Sequence, residues 1–326
     1  TLTLSAAKAN IDFIVLTDHN HLFAGNIELN GVMVLAGAEL STAFGHLIQL
    51  GGKDILAPDK RNKLELIEPF SKLQAMAILA HPSDPKRPWT GPIEGIHGIE
   101  IANFASSARH MGGRLLLGLT PLAPLWWFNS PLAFAQFYGR DERALSRWDG
   151  ERSSGIVGFC GADVHGWIEL SANYTQWQLV LPRPKRSKID PRFVLAALRE
   201  GSFYCASAWF NGVPAFEFYV EGGDGELVTV KDVPLENAFF IRSSVSAMKG
   251  GRSVTLVLLR DGEEVMRTQS GKLIYTQPRP GTYRVEARIQ IPKSLVGTYT
   301  GTVVYSNRIR ITSTQEKKKQ RNTSDE

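Results

Sequence analysis

Ile11-Asp12-Phe13-Ile14-Val15-Leu16-Thr17-Asp18-His19-Asn20 is an apolar run that stops on an acid and an imidazole, and the same event recurs along the chain. Val32 to Ala38 stops on Glu39, Met76 to Ala80 on His81, and Ile156 to Ala162 on Asp163 and, two residues on, His165. Apolar runs of this length, bounded by Gly, Pro and Asn, read as buried strands of a parallel α/β sheet. Such sheets collect functional residues at the carboxyl ends of their strands. Imidazole and carboxylate without thiolate form the donor set of a hard or borderline divalent metal.

Working outward, strands are also expected over His46 to Leu50, Gly98 to Asn103 and Trp177 to Pro182. Helices are expected over Lys63 to Gln74, Asp141 to Trp148 and Asp190 to Glu200, the last with Asp190 as cap and Pro191 in the first turn. This alternation predicts an α/β, barrel-like domain over residues 1–208. After Trp209 the helical period disappears. Asp261-Gly262 is a two-residue hairpin signal, and Tyr283, Val285, Ala287 and Ile289 alternate with Arg284, Glu286 and Arg288. Residues 209–313 therefore read as a small β-sandwich, and the polar residues 314–326 as a disordered tail.

At 326 residues with 21% charged side chains the chain is globular, and its net charge of +5 comes from scattered Lys and Arg apart from Arg183 to Lys188 and Lys317 to Arg321. That pattern gives no ground for nucleic-acid binding. Cys160 and Cys205 lack a metal or pairing spacing and read as buried free thiols, which leaves the redox compartment open. Leu115 to Tyr138 carries no charge, but Gly118, Pro121, Pro124 and Pro131 break it, so it reads as an insertion that covers the barrel or forms a lid; contact with a membrane surface is the less favoured option. Leu4 to Asn10 looks like the end of a helix feeding the first strand, so the amino terminus is expected to be missing together with any targeting signal. Localisation stays open between cytoplasm and bacterial cell envelope.

Thr17-Asp18-His19-Asn20, Gly37-Ala38-Glu39, Gly45-His46, Ala80-His81-Pro82, Gly98-Ile99-Glu100-Ile101-Ala102-Asn103 and Gly161-Ala162-Asp163-Val164-His165 together resemble the successive motifs of the PHP (polymerase and histidinol phosphatase) superfamily. The resemblance covers about residues 1–208. The following sandwich, with Tyr305-Ser306-Asn307 near its end, is similar to the carboxyl-terminal domain of the carbaryl-hydrolase-like branch. It implies a distorted, TIM-like (β/α)7 barrel, truncated at its amino end, holding two or three divalent ions (Mn, Zn, Fe or Mg). Glu39 would bridge two ions, Asp163 bind the first, His81 the second, and His19 with His165 a third. Asp18 and His19 are the catalytic candidates, Asp18 orienting a ligand or managing the nucleophilic water. His46, Glu100 and Asn103 are candidates for outer positions or substrate contact. The family opens on a His-x-His strand that this chain lacks, so the site is expected to be incomplete.

Each residue also has an ordinary reading. His19 could be a backbone-bonded histidine, Glu39 an acid at a helix start, His81 a turn residue before Pro82, and Asp163 a helix cap. Recurrence at strand ends favours ligation over these. Lys86, Arg87 and Arg109 follow site segments and read as solvated loop charges, with phosphate binding as the alternative. The expected function is metal-dependent hydrolysis of a small phosphate ester. Carbamate or carboxylic ester hydrolysis, or a catalytically degenerate binding module, are the alternatives.

Overall fold

The computed structural model describes residues 2–23, 25–57, 67–111, 139–151, 155–163, 175–179, 189–208, 213–223, 225, 227–228, 232–248, 252–292 and 298–313. The charge-free stretch 115–138 and the tail 314–326 lie outside them.

After a short helix, α1 (Leu2–Lys8), seven strands form the first sheet: β1 (Phe13–Leu16), β2 (Ile27–Leu29), β3 (Val32–Thr42), β4 (Gly45–Gly51), β5 (Ala75–Leu79), β6 (Gly98–Asn103) and β7 (Val157–Gly161). Their order is β1-β3-β4-β5-β6-β7, with β2 on β3. The pairs β1–β3, β5–β6 and β6–β7 are parallel. β2–β3, β3–β4 and β4–β5 are antiparallel. Only Ala43 and Phe44 separate the paired residues Thr42 and Gly45. A turn that tight forces β3 and β4 antiparallel, because a parallel return needs a crossover of a dozen or more residues.

This sheet overturns the expected α/β class and the TIM-like (β/α)7 barrel. Among the described residues strand outweighs helix, 48% against 17%, whereas a (β/α)7 barrel needs a helix beside every strand. The chain is mostly β, with curled mixed sheets. The helices are α2 (Ile67–Lys72), α3 (Phe104–Met111), α4 (Glu142–Gly150) and α5 (Pro191–Glu200) in addition to α1. Asp141 caps α4 by accepting from the Ala144 amide, and Asp190 caps α5 by accepting from the Arg192 amide. α5 ends on Gly201 in the left-handed region at φ 72°. None of the described helices is long and apolar enough to cross a membrane.

The remaining strands are β8 (Thr175–Leu179), β9 (Phe203–Ser207), β10 (Phe216–Glu221), β11 (Leu227–Val228), β12 (Asp232–Pro234), β13 (Phe240–Val245), β14 (Val254–Arg260), β15 (Glu263–Thr268), β16 (Lys272–Thr276), β17 (Gly281–Pro292), β18 (Thr298–Ser306) and β19 (Ile309–Thr312). Four of them form the sheet β11-β10-β13-β16. Eight form β12-β19-β17-β18-β9-β8, with β14 on β17 and β15 on β14. Asp261 and Gly262 make the β14–β15 turn, both at positive φ, as a two-residue hairpin requires. Strand pairing crosses residue 208, since β9 lies on β18 with Cys205 opposite Tyr305.

β17 shows the physical logic of the assembly. Tyr283, Val285, Ala287 and Ile289 are buried on one face, as strand alternation demands. Arg284 and Glu286, on the other face, are buried too. Arg284 donates to both carboxylate oxygens of Asp149 on α4, at 2.7 Å each, and to Glu286 at 2.5 Å. One hydrophobic core accordingly runs from Leu35 and Leu79 in the first sheet to Leu256 and Val285 in the third.

Cys160 on β7 and Cys205 on β9 are joined by a disulfide, with Cα atoms 6.1 Å apart. The free-thiol reading is thereby corrected. The 45-residue separation follows no motif; the fold brings β7 of the first sheet near β9 of the eight-stranded sheet.

Candidate metal centre

The parallel pairing of β1 with β3 continues past Leu16 as one further bridge between His19 and Glu39. The Glu39 amide donates to the Asp18 carbonyl at 3.1 Å, and the Asn20 amide to the Glu39 carbonyl at 2.8 Å. Asn20, at φ 52°, also ties its side chain to Ser41, accepting from the Ser41 amide at 3.0 Å. His46 lies opposite Ser41 on β4, which puts it on the same face as Glu39. His81 follows β5, whose extension is marked by the Ala80 amide donating to the His46 carbonyl at 3.2 Å.

These placements converge on one atom. Glu39 Oε1 accepts from His46 Nδ1 at 2.5 Å and His81 Nε2 at 3.1 Å, and stands 4.0 Å from His19 Nδ1. Glu39, His46 and His81 are buried, whereas His19 is 45% exposed and forms the rim. Donor atoms from His19, Glu39 and His46 lie within 4.8 Å of one another, close enough to hold a single ion. Arg87 Nη1 donates to His46 Nε2 at 3.4 Å, which leaves the imidazole proton on Nδ1, facing Glu39.

Burial works against the charged form of Glu39, but hydrogen bonds from His46 and His81 and the positive charge of His81 and His19 outweigh it and hold the carboxyl well below its usual range. Burial likewise works against protonated His81. The hydrogen bond to Glu39 and the charges of Glu100, Asp163 and Glu39 prevail and push it up to about 9. His81 Nδ1 is buried with no hydrogen-bond partner among the described residues. That nitrogen lies on the other side of the ring from Nε2, which faces Glu39, so an ion shared with Glu39 would meet Nε2.

Glu100 and Asn103 stand behind His81. The His81 amide donates to Glu100 Oε2 at 2.7 Å and Asn103 Nδ2 to the same oxygen at 2.9 Å, while Asn103 Oδ1 accepts from the Ser106 amide at the start of α3. Burial, the largest influence, pushes Glu100 up to about 7 against the favourable influence of His81 and these donors. Asp163 is held by Arg109 Nη2 at 2.9 Å, and the same guanidinium bonds Asp84 through Nε. His81 and Asp163 adopt φ 31° and 51°. Non-glycine residues rarely sit there, and such positions cluster at functional sites.

Of the residues singled out in the sequence, the structure brings together Glu39, His46, His81 and His19, with Glu100, Asn103 and Asp163 adjoining. Asp18 is exposed and is not among the groups converging on Glu39, although its carbonyl anchors the strand pairing. His165 lies outside the described residues. Sequence reasoning missed Asp84, which is buried and accepts from the amides of Lys86 and Arg87. The Ser83-Asp84-Pro85 turn after His81 was the available signal. Arg109, read as a loop charge, is instead the link from Asp84 to Asp163.

Compared with known proteins, the chain matches no family model, no curated protein and no solved structure.

Proposed function

We propose that this chain is a metal-dependent hydrolase, a phosphoesterase of the kind the PHP-like motifs imply, centred on Glu39. The observation that carries the reading is a single buried carboxylate oxygen bordered by three imidazoles. His19, Glu39 and His46 would hold a first ion, and His81 and Asp163 are the residues available to a second. A donor set this rich in imidazole suits Mn, Fe or Zn better than Mg, which prefers oxygen and water. When bound there, a divalent ion supplies an acidified water and compensates charge on a phosphate ester.

The chain's own residues supply the rest. Glu100 fixes the His81 backbone, Arg109 fixes Asp163, and Arg87 at the rim offers a guanidinium to an anionic ester. That guanidinium favours phosphate over carbamate or carboxylic esters. We assign acceptance of a proton from the attacking water to Asp18, the exposed carboxylate next to His19 in the chain.

Calorimetric titration with Mn²⁺ and hydrolysis of p-nitrophenyl phosphate test the reading together. Wild-type protein is expected to bind at least one ion and to turn over the ester, and Glu39→Gln to lose about 100-fold or more in affinity or activity. Failure of the wild type to bind Mn²⁺, or equal activity in Glu39→Gln, would refute it.

A further inference from the structure

β7 is the last strand of the first sheet, and β8 is the last strand of the eight-stranded sheet; among the described residues no ladder joins them. The two sheets are tied across this gap by individual contacts. Trp177 Nε1 donates to the Cys160 carbonyl at 2.8 Å, the Gly158 amide donates to Asn307 Oδ1 at 2.8 Å, and the Cys160–Cys205 disulfide supplies a covalent cross-link besides the chain itself. That link lies three residues ahead of Asp163 in the chain. Between them β7 ends at Gly161, and Asp163 turns into the left-handed region to meet Arg109 beside His81. A covalent anchor at the base of a strained turn restricts where the turn can go.

We propose that the Cys160–Cys205 disulfide is a redox latch on the candidate metal centre: closed, it holds the end of β7 so that Asp163 stays beside His81; opened, it lets that end move and weakens ion binding. The inference rests on the metal reading given above. Opening requires a dithiol reductant. Its thiolate attacks one sulfur to form a mixed disulfide, and its second thiolate displaces the protein sulfur. Two electrons and two protons pass to Cys160 and Cys205 while the reductant becomes a disulfide. Both cysteines are buried, so reduction follows local opening and is slow. Since disulfides persist in oxidising compartments and are opened by cytosolic thiols, the latch restricts full ion affinity to an oxidising setting.

The test compares Mn²⁺ titrations of oxidised protein, of protein reduced with dithiothreitol and desalted without air, and of the variant carrying Cys160→Ser with Cys205→Ser. Mn²⁺ is the probe because it avoids the new thiols. Affinity is expected to fall about tenfold in both the reduced protein and the double variant, with the far-ultraviolet circular dichroism spectrum unchanged. Equal affinity in oxidised and reduced protein overturns the latch alone. Loss of the dichroism signal on reduction also overturns it, in favour of a global staple. Absence of binding in the oxidised protein removes the metal reading and the latch with it.

Discussion

His81 answers to two opposing demands, a buried position that disfavours charge and an acid at 3.1 Å that requires it. The acid prevails, so the imidazole keeps its proton up to about 9 rather than its ordinary 6.5. A group whose folded value is raised stabilises the fold fully below its unfolded value and loses that contribution as pH rises through the folded one. The ion-free protein should therefore lose stability between pH 7 and 10. Glu39 behaves oppositely, contributing above its ordinary 4.5 and losing that contribution on acidification. Urea midpoints at pH 7, 8, 9 and 10 check the basic limb. A flat profile, or an identical slope in His81→Gln, would count against the His81–Glu39 pair. An ion must also displace the His81 proton if it binds Nε2, so proton release on Mn²⁺ uptake at neutral pH, seen as buffer-dependent heats, is the companion outcome.

Between β6 and β7 the spacing is set by a missing side chain. A Cβ built on Gly161 would lie 1.9 Å from Glu100 Oε1 and 3.3 Å from Asn103 Nδ2. Glu100 cannot retreat, because the His81 amide and Asn103 both hold its carboxylate. Gly161→Ala is expected to cost about 1–3 kcal/mol through overpacking. Gly155→Ala, where a Cβ meets nothing within 4 Å, should stay near wild type. Equal denaturation midpoints for the two would show that Glu100 yields after all. At this scale the strands were largely legible in the sequence, because burial on both faces leaves unbroken apolar runs such as Val32 to Ala38. Their direction was not. Apolar runs carry no sense of parallel or antiparallel, and the decisive clue, six residues between Glu39 and His46, is too few for a helical crossover. The strand ends did mark Glu39 and His81. His46 was undervalued because it opens a strand, and antiparallel pairing turns an opening into a neighbour of another strand's end.

Charge as well as the shared apolar core joins α4 to the third sheet, and the charge was the least legible feature, since alternation along β17 assigns Arg284 and Glu286 to solvent. Instead Glu286 has no exposed side-chain surface and receives Arg140, Arg284 and Arg288. Burial opposes its charge, yet the three guanidiniums hold it down at about 2. Arg308 completes the seam, its guanidinium 4.8 Å from the Trp148 ring while donating to the Trp148 and Ile156 carbonyls. Removing one partner of a buried ion group strands the others without water to solvate them. Arg284→Met leaves Asp149 and Glu286 facing each other across the vacated position, and a loss of about 3–5 kcal/mol is expected. Replacing Arg284 and Asp149 together by apolar residues of similar size should recover much of that loss, because Glu286 keeps Arg140 and Arg288 and the stranded acid is gone. Since β8 and β9 share a sheet with β18, the damage should reach the whole chain. Thermal unfolding followed by far-ultraviolet dichroism and by tryptophan emission should give one coincident transition, shifted down in Arg284→Met. Two separated transitions, with the first unmoved by the substitution, would mean that α4 and the first sheet melt independently of the seam.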